Sequence, residues 1–196
     1  MRRIFLLLML AILPALAQAA PTVTRDPAAA SVTADMQTLP TRVVGRVARM
    51  ALPAPLPAGA TAYVHEWPGI YFETAFTGDR LVLKFDDGWH EYRLFVDNAP
   101  PITLLRPGKA DVVVGELGAG PHRVRLEKVS ESFKVRGTFA GFYAPRTAKP
   151  LLARAPRRRI EFIGPSGMTG FGDRSTTPNC TFEDQHATTD TQQAYT

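Results

Sequence analysis

From Ala62 onward, apolar and polar residues alternate in short runs separated at regular intervals by turn residues. The runs are "AYVHEW" from Ala62, "GIYFETAF" from Gly69, "RLVLKF" from Arg80, "HEYRLFVD" from His90, "PITLLR" from Pro101, "DVVVGEL" from Asp111, "HRVRLEKV" from His122 and "KVRGTFAGFYA" from Lys134. Between them lie "PG", "TGD", "DDGW", "DNAP", "RPGK", "GAGP" and "SESF". Short β-branched and aromatic runs broken by Gly, Pro, Asn and Asp are the pattern of strands in an antiparallel sandwich. In "RLVLKF" the alternation assigns Leu81, Leu83 and Phe85 to a buried face and Arg80, Lys84 and Asp86 to water. No helical period competes, so residues 41–144 are predicted to form an all-β sandwich of eight or more strands, enough for a two-layer core.

The flanks differ in texture. Pro21 to Pro40 is rich in Ala, Thr, Pro and Asp with little periodicity, and is expected to be an exposed, poorly ordered lead-in over residues 20–40. "VVGRVARM" from Val43 alternates before the proline-rich "LPAPLPAG" interrupts it. After the sandwich, "APRTAKPLLARAPRRR" from Ala144 marks a linker over residues 145–158. Beyond it "RIEFIG" reads as a new strand that opens a second, α/β region over residues 159–196.

The first nineteen residues set the compartment. "MRR", an apolar run from Ile4 to Leu16 and the small-x-small Ala17-Gln18-Ala19 form a signal peptide, with an uncleaved anchor as the alternative. A cleaved leader leaves a secreted or periplasmic protein with no membrane attachment. It also removes Arg2 and Arg3, leaving 21 basic against 18 acidic residues, a net charge of +3. The basic residues are scattered apart from Pro156 to Arg159, so no nucleic-acid partner is implied. Cys180 is the single cysteine, which excludes an intrachain disulfide framework. Asn179-Cys180-Thr181 fits the N-glycosylation pattern, a frequent chance match.

The candidate chemistry lies in "RRRIEFIGPSGMTGFGD", Arg157 to Asp173. A serine hydroxyl acts as a nucleophile when a strand end exposes it beside a base and N–H donors for the developing oxyanion. Ser166 follows such a strand, with Gly164, Gly167, Gly170 and Gly172 keeping the turn uncrowded; a plain turn serine is the other reading. The G-x-S-x-G elbow is not matched, because Met168 holds its last position. No His/Cys/Asp cluster has metal-ligand spacing, so neither a metal nor a cofactor is expected.

"IEFIGPSGMTGFG" resembles the first conserved block of the SGNH, or GDSL-type, hydrolases, and the likeness is closest to carbohydrate esterase family 2. The sandwich is similar too, in Gly45 to Val47, "HEWPGIYFETAFTGDRLVLKF", "YRLFVDNAP" and "GPHRVRLEKVSES", as is "NCTFEDQHATTDTQQAY" after the serine. The resemblance implies a jelly-roll sandwich joined to an SGNH domain, and deacetylation of acetylated plant polysaccharide. It makes Ser166 the nucleophile and its backbone N–H an oxyanion donor, with Pro165 standing where the family has Asp. The family's base, a histidine near the C-terminus, and the glycine and asparagine of the oxyanion hole belong to later blocks that this sequence does not contain. The chain therefore reads as a fragment or a product truncated early in the catalytic domain.

Other candidates carry two readings each. His186 is either a substitute base or a surface or pocket-lining residue, and His65, His90 and His122 are expected to be half-exposed strand residues. Trp67 and Trp89 are the two rings that could stack on a sugar: Trp89, after the "DDG" turn, is expected to be exposed and to do so, with hairpin packing as its alternative, whereas Trp67, in the alternating "HEWPG" strand, is expected in the core instead. The whole chain is read as a secreted acetyl esterase, with a non-catalytic carbohydrate-binding sandwich as the second reading.

Overall fold

The structure, a computed structural model, describes residues 20–133, 135–156, 158, 164 and 166–194, with the Ser166 side chain excepted. The signal peptide expected at residues 1–19, the strand expected at 159–163 and Pro165 lie outside the described residues. Two antiparallel sheets make the sandwich. The first contains β1 (Thr22–Asp26), β2 (Met36–Thr38), β4 (Ala48–Ala51), β5 (Thr61–His65), β7 (Leu81–Asp87), β10 (Gly108–Gly115) and β12 (Gly137–Pro145). The second contains β3 (Arg42–Val44), β6 (Tyr71–Thr77), β8 (Glu91–Val96), β9 (Ile102–Leu105), β11 (Pro121–Lys128) and β13 (Lys149–Leu151).

From β5 to β12 the chain switches sheet at every step except β8 to β9. This gives the orders β10-β7-β12-β5 and β6-β11-β8-β9, the double Greek key of a jelly roll. The eight alternating runs all become strands. Between the sheets, Phe139 sits 4.8 Å from Phe72 and from Phe142 and 5.4 Å from Phe85, ring centre to ring centre. Leu81, Leu83 and Phe85 are fully buried in this layer, as their alternation requires.

Three expectations are corrected. The lead-in is part of the fold: β1 extends the first sheet with Val23 opposite Val114, and β2 pairs with β12. Met36 is buried against Val82, Ala60 and Tyr143 on the outer face of that sheet, so both faces of β7 are covered. Lys84 is not simply in water, because it pairs with Asp111 at 2.9 Å under the same segment, where Ser31 N and Val32 N also donate to Asp111. The linker is shorter than expected, since β12 runs to Pro145 and β13 pairs with β6 through Lys149 opposite Thr77.

The jelly-roll path brings four connections to one end: β5–β6, β7–β8, β9–β10 and β11–β12. Loops at the end of a rigid sandwich are where sites are built.

Candidate active site

Beneath that end lies a buried polar cluster. Asp87, closing β7, accepts hydrogen bonds from the backbone N–H groups of Trp89 at 3.0 Å and His90 at 3.1 Å, from His90 Nδ1 at 2.8 Å, and from the Tyr92 hydroxyl. Because Tyr92 donates to Asp87, its oxygen accepts from His65 Nε2 at 3.1 Å. Burial by itself raises the Asp87 pKa, but the bonds from His90 and Tyr92 and the His90 charge outweigh it and hold the carboxyl down to about 2. Burial, reinforced by the Lys128 charge, pushes His65 down to about 3. Lys128 is fully buried, and its ammonium donates to Glu66 O, Ser130 O and Ser132 Oγ, each at 2.8 Å. Desolvation lowers it to about 7, against the opposing carboxylates of Glu131, Asp87 and Glu66. His65, His90 and His122 are thus fully buried and hydrogen-bonded, where half-exposed strand histidines were expected.

The segment after the Ser166 turn is fastened onto this end. A 3-10 helix spans Ser166–Thr169, and Thr169 Oγ1 donates to Glu131 Oε1 at 2.5 Å in the β11–β12 loop. Gly170 follows with φ +68°, and a side chain there would strike the Asp190 backbone, whose N–H donates to Gly170 O at 3.0 Å. Arg174 binds the Glu91 carboxylate at 3.1 Å and also donates to Ala187 O and Thr189 O. Helix α1 (Phe182–Ala187) starts from a capping box in which Thr181 and Asp184 bond each other's backbone N–H. Arg93 then grips Asp190 and Gln192, and Thr191 N donates to Val129 O at 3.1 Å. Phe133 packs at 5.0 Å from Phe171 and 4.5 Å from Phe182, closing the apolar side of the joint.

Each sequence candidate now has a place. The Ser166 backbone opens the 3-10 helix on this platform. His186 is buried, with Nε2 donating to Glu131 O at 3.2 Å and burial lowering its pKa. Its ring is enclosed by Trp89 at 4.6 Å and Phe133 at 6.0 Å, centre to centre. Trp89 is half-buried, its ring 4.6 Å from His186 and beneath the Arg106 guanidinium at 5.3 Å, so protein groups already pack against the ring expected to meet sugar. Trp67 reverses its expectation as well, being 61% exposed, because β5 ends at His65 and residue 67 falls in the following loop. Cys180 donates its thiol to Thr177 O at 2.9 Å beside Ser175 Oγ, on a shallow cavity of about 390 Å³ that Phe171, Gly172 and Gln185 also line. Among the described residues no group of three or more His, Cys, Asp or Glu could hold a metal ion, and no helix is long and apolar enough to cross a membrane.

Sequence reasoning did not single out Glu91, Glu131, Lys128 or Arg174. The one signal was local: "SESF" supplies Glu131 between two serines in a turn, but its partner Thr169 lies 38 residues away.

The described geometry is a jelly roll carrying a glycine turn on one end, and a family model, Carbohydrate esterase 2 N-terminal, matches residues 56–154, half of the chain. The chain belongs to carbohydrate esterase family 2. This family 2 chain is 45% identical over 157 residues to an acetylxylan esterase / glucomannan deacetylase of Cellvibrio japonicus, a match over 80% of this chain and 42% of that protein. Among solved structures it is similar to a carbohydrate esterase whose active site displays divergent catalytic and non-catalytic binding functions. That likeness has a TM-score of 0.69 and 42% identity, over 80% of this chain and 44% of the other. A family two carbohydrate esterase from Clostridium thermocellum, solved in complex with cellohexaose, matches with a TM-score of 0.51 and 25% identity, over 64% of this chain and 40% of that one. The family 2 chain spans less than half the length of these relatives.

Proposed function

We propose that the chain carries the sandwich and the nucleophile turn of an exported carbohydrate esterase that removes acetyl groups from xylan or glucomannan. The observation that carries this reading is the fastening of the glycine turn to the family's own sandwich, through Thr169 on Glu131 and Arg174 on Glu91. A nucleophile must be held in a fixed attitude to its substrate, and two charge-assisted ties to a rigid jelly roll supply that. The identity to an acetylxylan esterase supports the substrate class.

In this mechanism Ser166 Oγ attacks the acetyl carbonyl carbon while its proton passes to a base. The Ser166 N–H donates to the resulting oxyanion, the sugar hydroxyl leaves with a proton, and water then releases acetate from the acyl-serine. None of the four histidines described here suits the base. His65, His90 and His122 are enclosed in the sandwich, and His186 is buried against Trp89 and Phe133 with Nε2 donating to Glu131 O. The base is the histidine of the later family blocks. Export through the leader at residues 1–19 puts the enzyme where its polymeric substrate is.

The test is acetate release from acetylated xylan and acetylated glucomannan by the native exported protein and its Ser166→Ala variant. Loss of the nucleophile is expected to lower the rate by at least about a thousandfold. Full activity in Ser166→Ala would remove Ser166 from the mechanism.

A further inference from the structure

Trp67 stands in water at the same end of the sandwich as the Ser166 turn. Among the described residues its ring meets no aromatic partner and no cation, and its indole N–H meets no acceptor. Its loop is nevertheless firmly held. Glu66 O accepts from Lys128 Nζ at 2.8 Å and from Ser132 Oγ, Gly69 N donates to Lys128 O at 2.9 Å, and Arg136 Nε pairs with Glu66 Oε1 at 3.0 Å. Pro68 fixes its own φ immediately after the indole. A large ring presented on a rigid support loses little conformational freedom when something packs on it.

The loop that anchors Trp67 also anchors the turn. Ser132 bonds Glu66, next to Trp67; its neighbour Glu131 bonds Thr169, three residues after Ser166. In the loops that carry and hold the indole, the Glu66 side chain is 53% exposed and the Arg136 side chain 75% exposed, while Val135, 37% exposed, is a single apolar neighbour and not a patch. A protein partner would call for a contiguous apolar patch with a polar rim. One aromatic face flanked by a carboxylate and a guanidinium instead suits a pyranose ring, which is apolar across its C–H face and hydroxylated around its edge.

We infer that Trp67 is a sugar-stacking subsite that the sandwich contributes to the esterase. A main-chain pyranose lies on the indole while Glu66 and Arg136 hydrogen-bond its hydroxyls, which sets the sugar residue whose acetyl ester reaches Ser166. The inference rests on reading the chain as part of a polysaccharide esterase.

Binding needs no turnover, so it reads the subsite apart from Ser166. Affinity of the exported protein for deacetylated xylan and for cellohexaose, measured by isothermal titration calorimetry, is expected to fall about tenfold in Trp67→Ala and to recover in large part in Trp67→Phe, which keeps an aromatic face. The unfolding midpoint of Trp67→Ala should match that of the wild type, since the residue is exposed. An affinity within twofold of wild type in Trp67→Ala overturns the subsite, as does failure of the wild type to bind either probe. Retained acetate release in Ser166→Ala overturns the nucleophile and leaves the binding result standing.

Discussion

Gly137 opens β12 directly opposite His65, where the buried cluster is most crowded. A methyl group added there would collide with Asp87 Oδ2 and lie 2.6 Å from His65 Cε1 and 2.8 Å from His90 Nδ1. The Gly137 backbone is outside the left-handed region, so no backbone strain enters and the whole cost is steric and polar. Asp87 cannot move aside without weakening the bonds it accepts from Trp89, His90 and Tyr92. Overpacking a rigid core costs roughly 1–3 kcal/mol, and weakening a hydrogen bond to a buried charge adds roughly 1.5–3 kcal/mol. The smaller unfolded-state entropy of alanine returns roughly 0.4–1 kcal/mol. Gly137→Ala is therefore expected to destabilise the sandwich by about 3 kcal/mol and to lower its thermal midpoint by roughly 10 °C, on the usual scaling for a domain of this size. Gly88→Ala is the control. It sits on the neighbouring turn with ordinary φ and no atom within 4 Å of an added Cβ, so it should shift stability by no more than about 0.5 kcal/mol. Differential scanning calorimetry at neutral pH compares the two, and coincident midpoints would refute the steric argument.

The same cluster fixes a pH dependence. His65 has its pKa lowered to about 3, so between the unfolded value near 6.5 and pH 3 the unfolded chain binds a proton that the folded chain refuses, and stability falls with pH across that window by up to about 5 kcal/mol. Asp87, lowered to about 2, contributes stability above its unfolded pKa that is lost as pH falls through 2. Lys128, lowered to about 7, acts in the same sense at higher pH: between pH 7 and its unfolded pKa the unfolded chain binds a proton that the folded chain refuses, so stability rises as pH rises and falls as it falls across that window too. Thermal midpoints that stay level from pH 6.5 to 4 would contradict the His65 assignment. At the joint, Glu131→Ala removes the acceptor of Thr169 Oγ1 and should lower kcat for acetyl esters by about tenfold with little change in KM, while Glu131→Gln, which keeps an acceptor oxygen, recovers most of it. Equal kcat in Glu131→Ala and wild type would show that the tie does not position the turn.

The strands from β5 to β12 were legible because each buries side chains on a face that alternation reveals, as Leu81, Leu83 and Phe85 do. The additions at the margins were not. Met36 is buried by the outer face of a sheet built from distant sequence, so an Ala- and Thr-rich segment with no period of its own becomes β2. β13 was hidden in a proline-rich stretch, but Pro150 is tolerated there because the strand lies at the sheet edge. The tryptophans were exchanged because "AYVHEW" continues the strand pattern past the point where Lys128 and Ser132 capture Glu66 O and turn the chain. Ser166 stood out as a motif because its neighbours are local. The groups that hold its turn did not, since Glu91 and Arg174 are 83 residues apart and meet only in the folded chain.

The central claim is that Ser166 is a nucleophile held on the sandwich. Treating the native protein with a serine-directed fluorophosphonate and mapping the adduct by peptide mass spectrometry tests it most directly. The account predicts one covalent adduct, on the peptide containing Ser166, with acetate release lost in step with labelling. Acetate release that survives full treatment, or an adduct on a different serine, would contradict it.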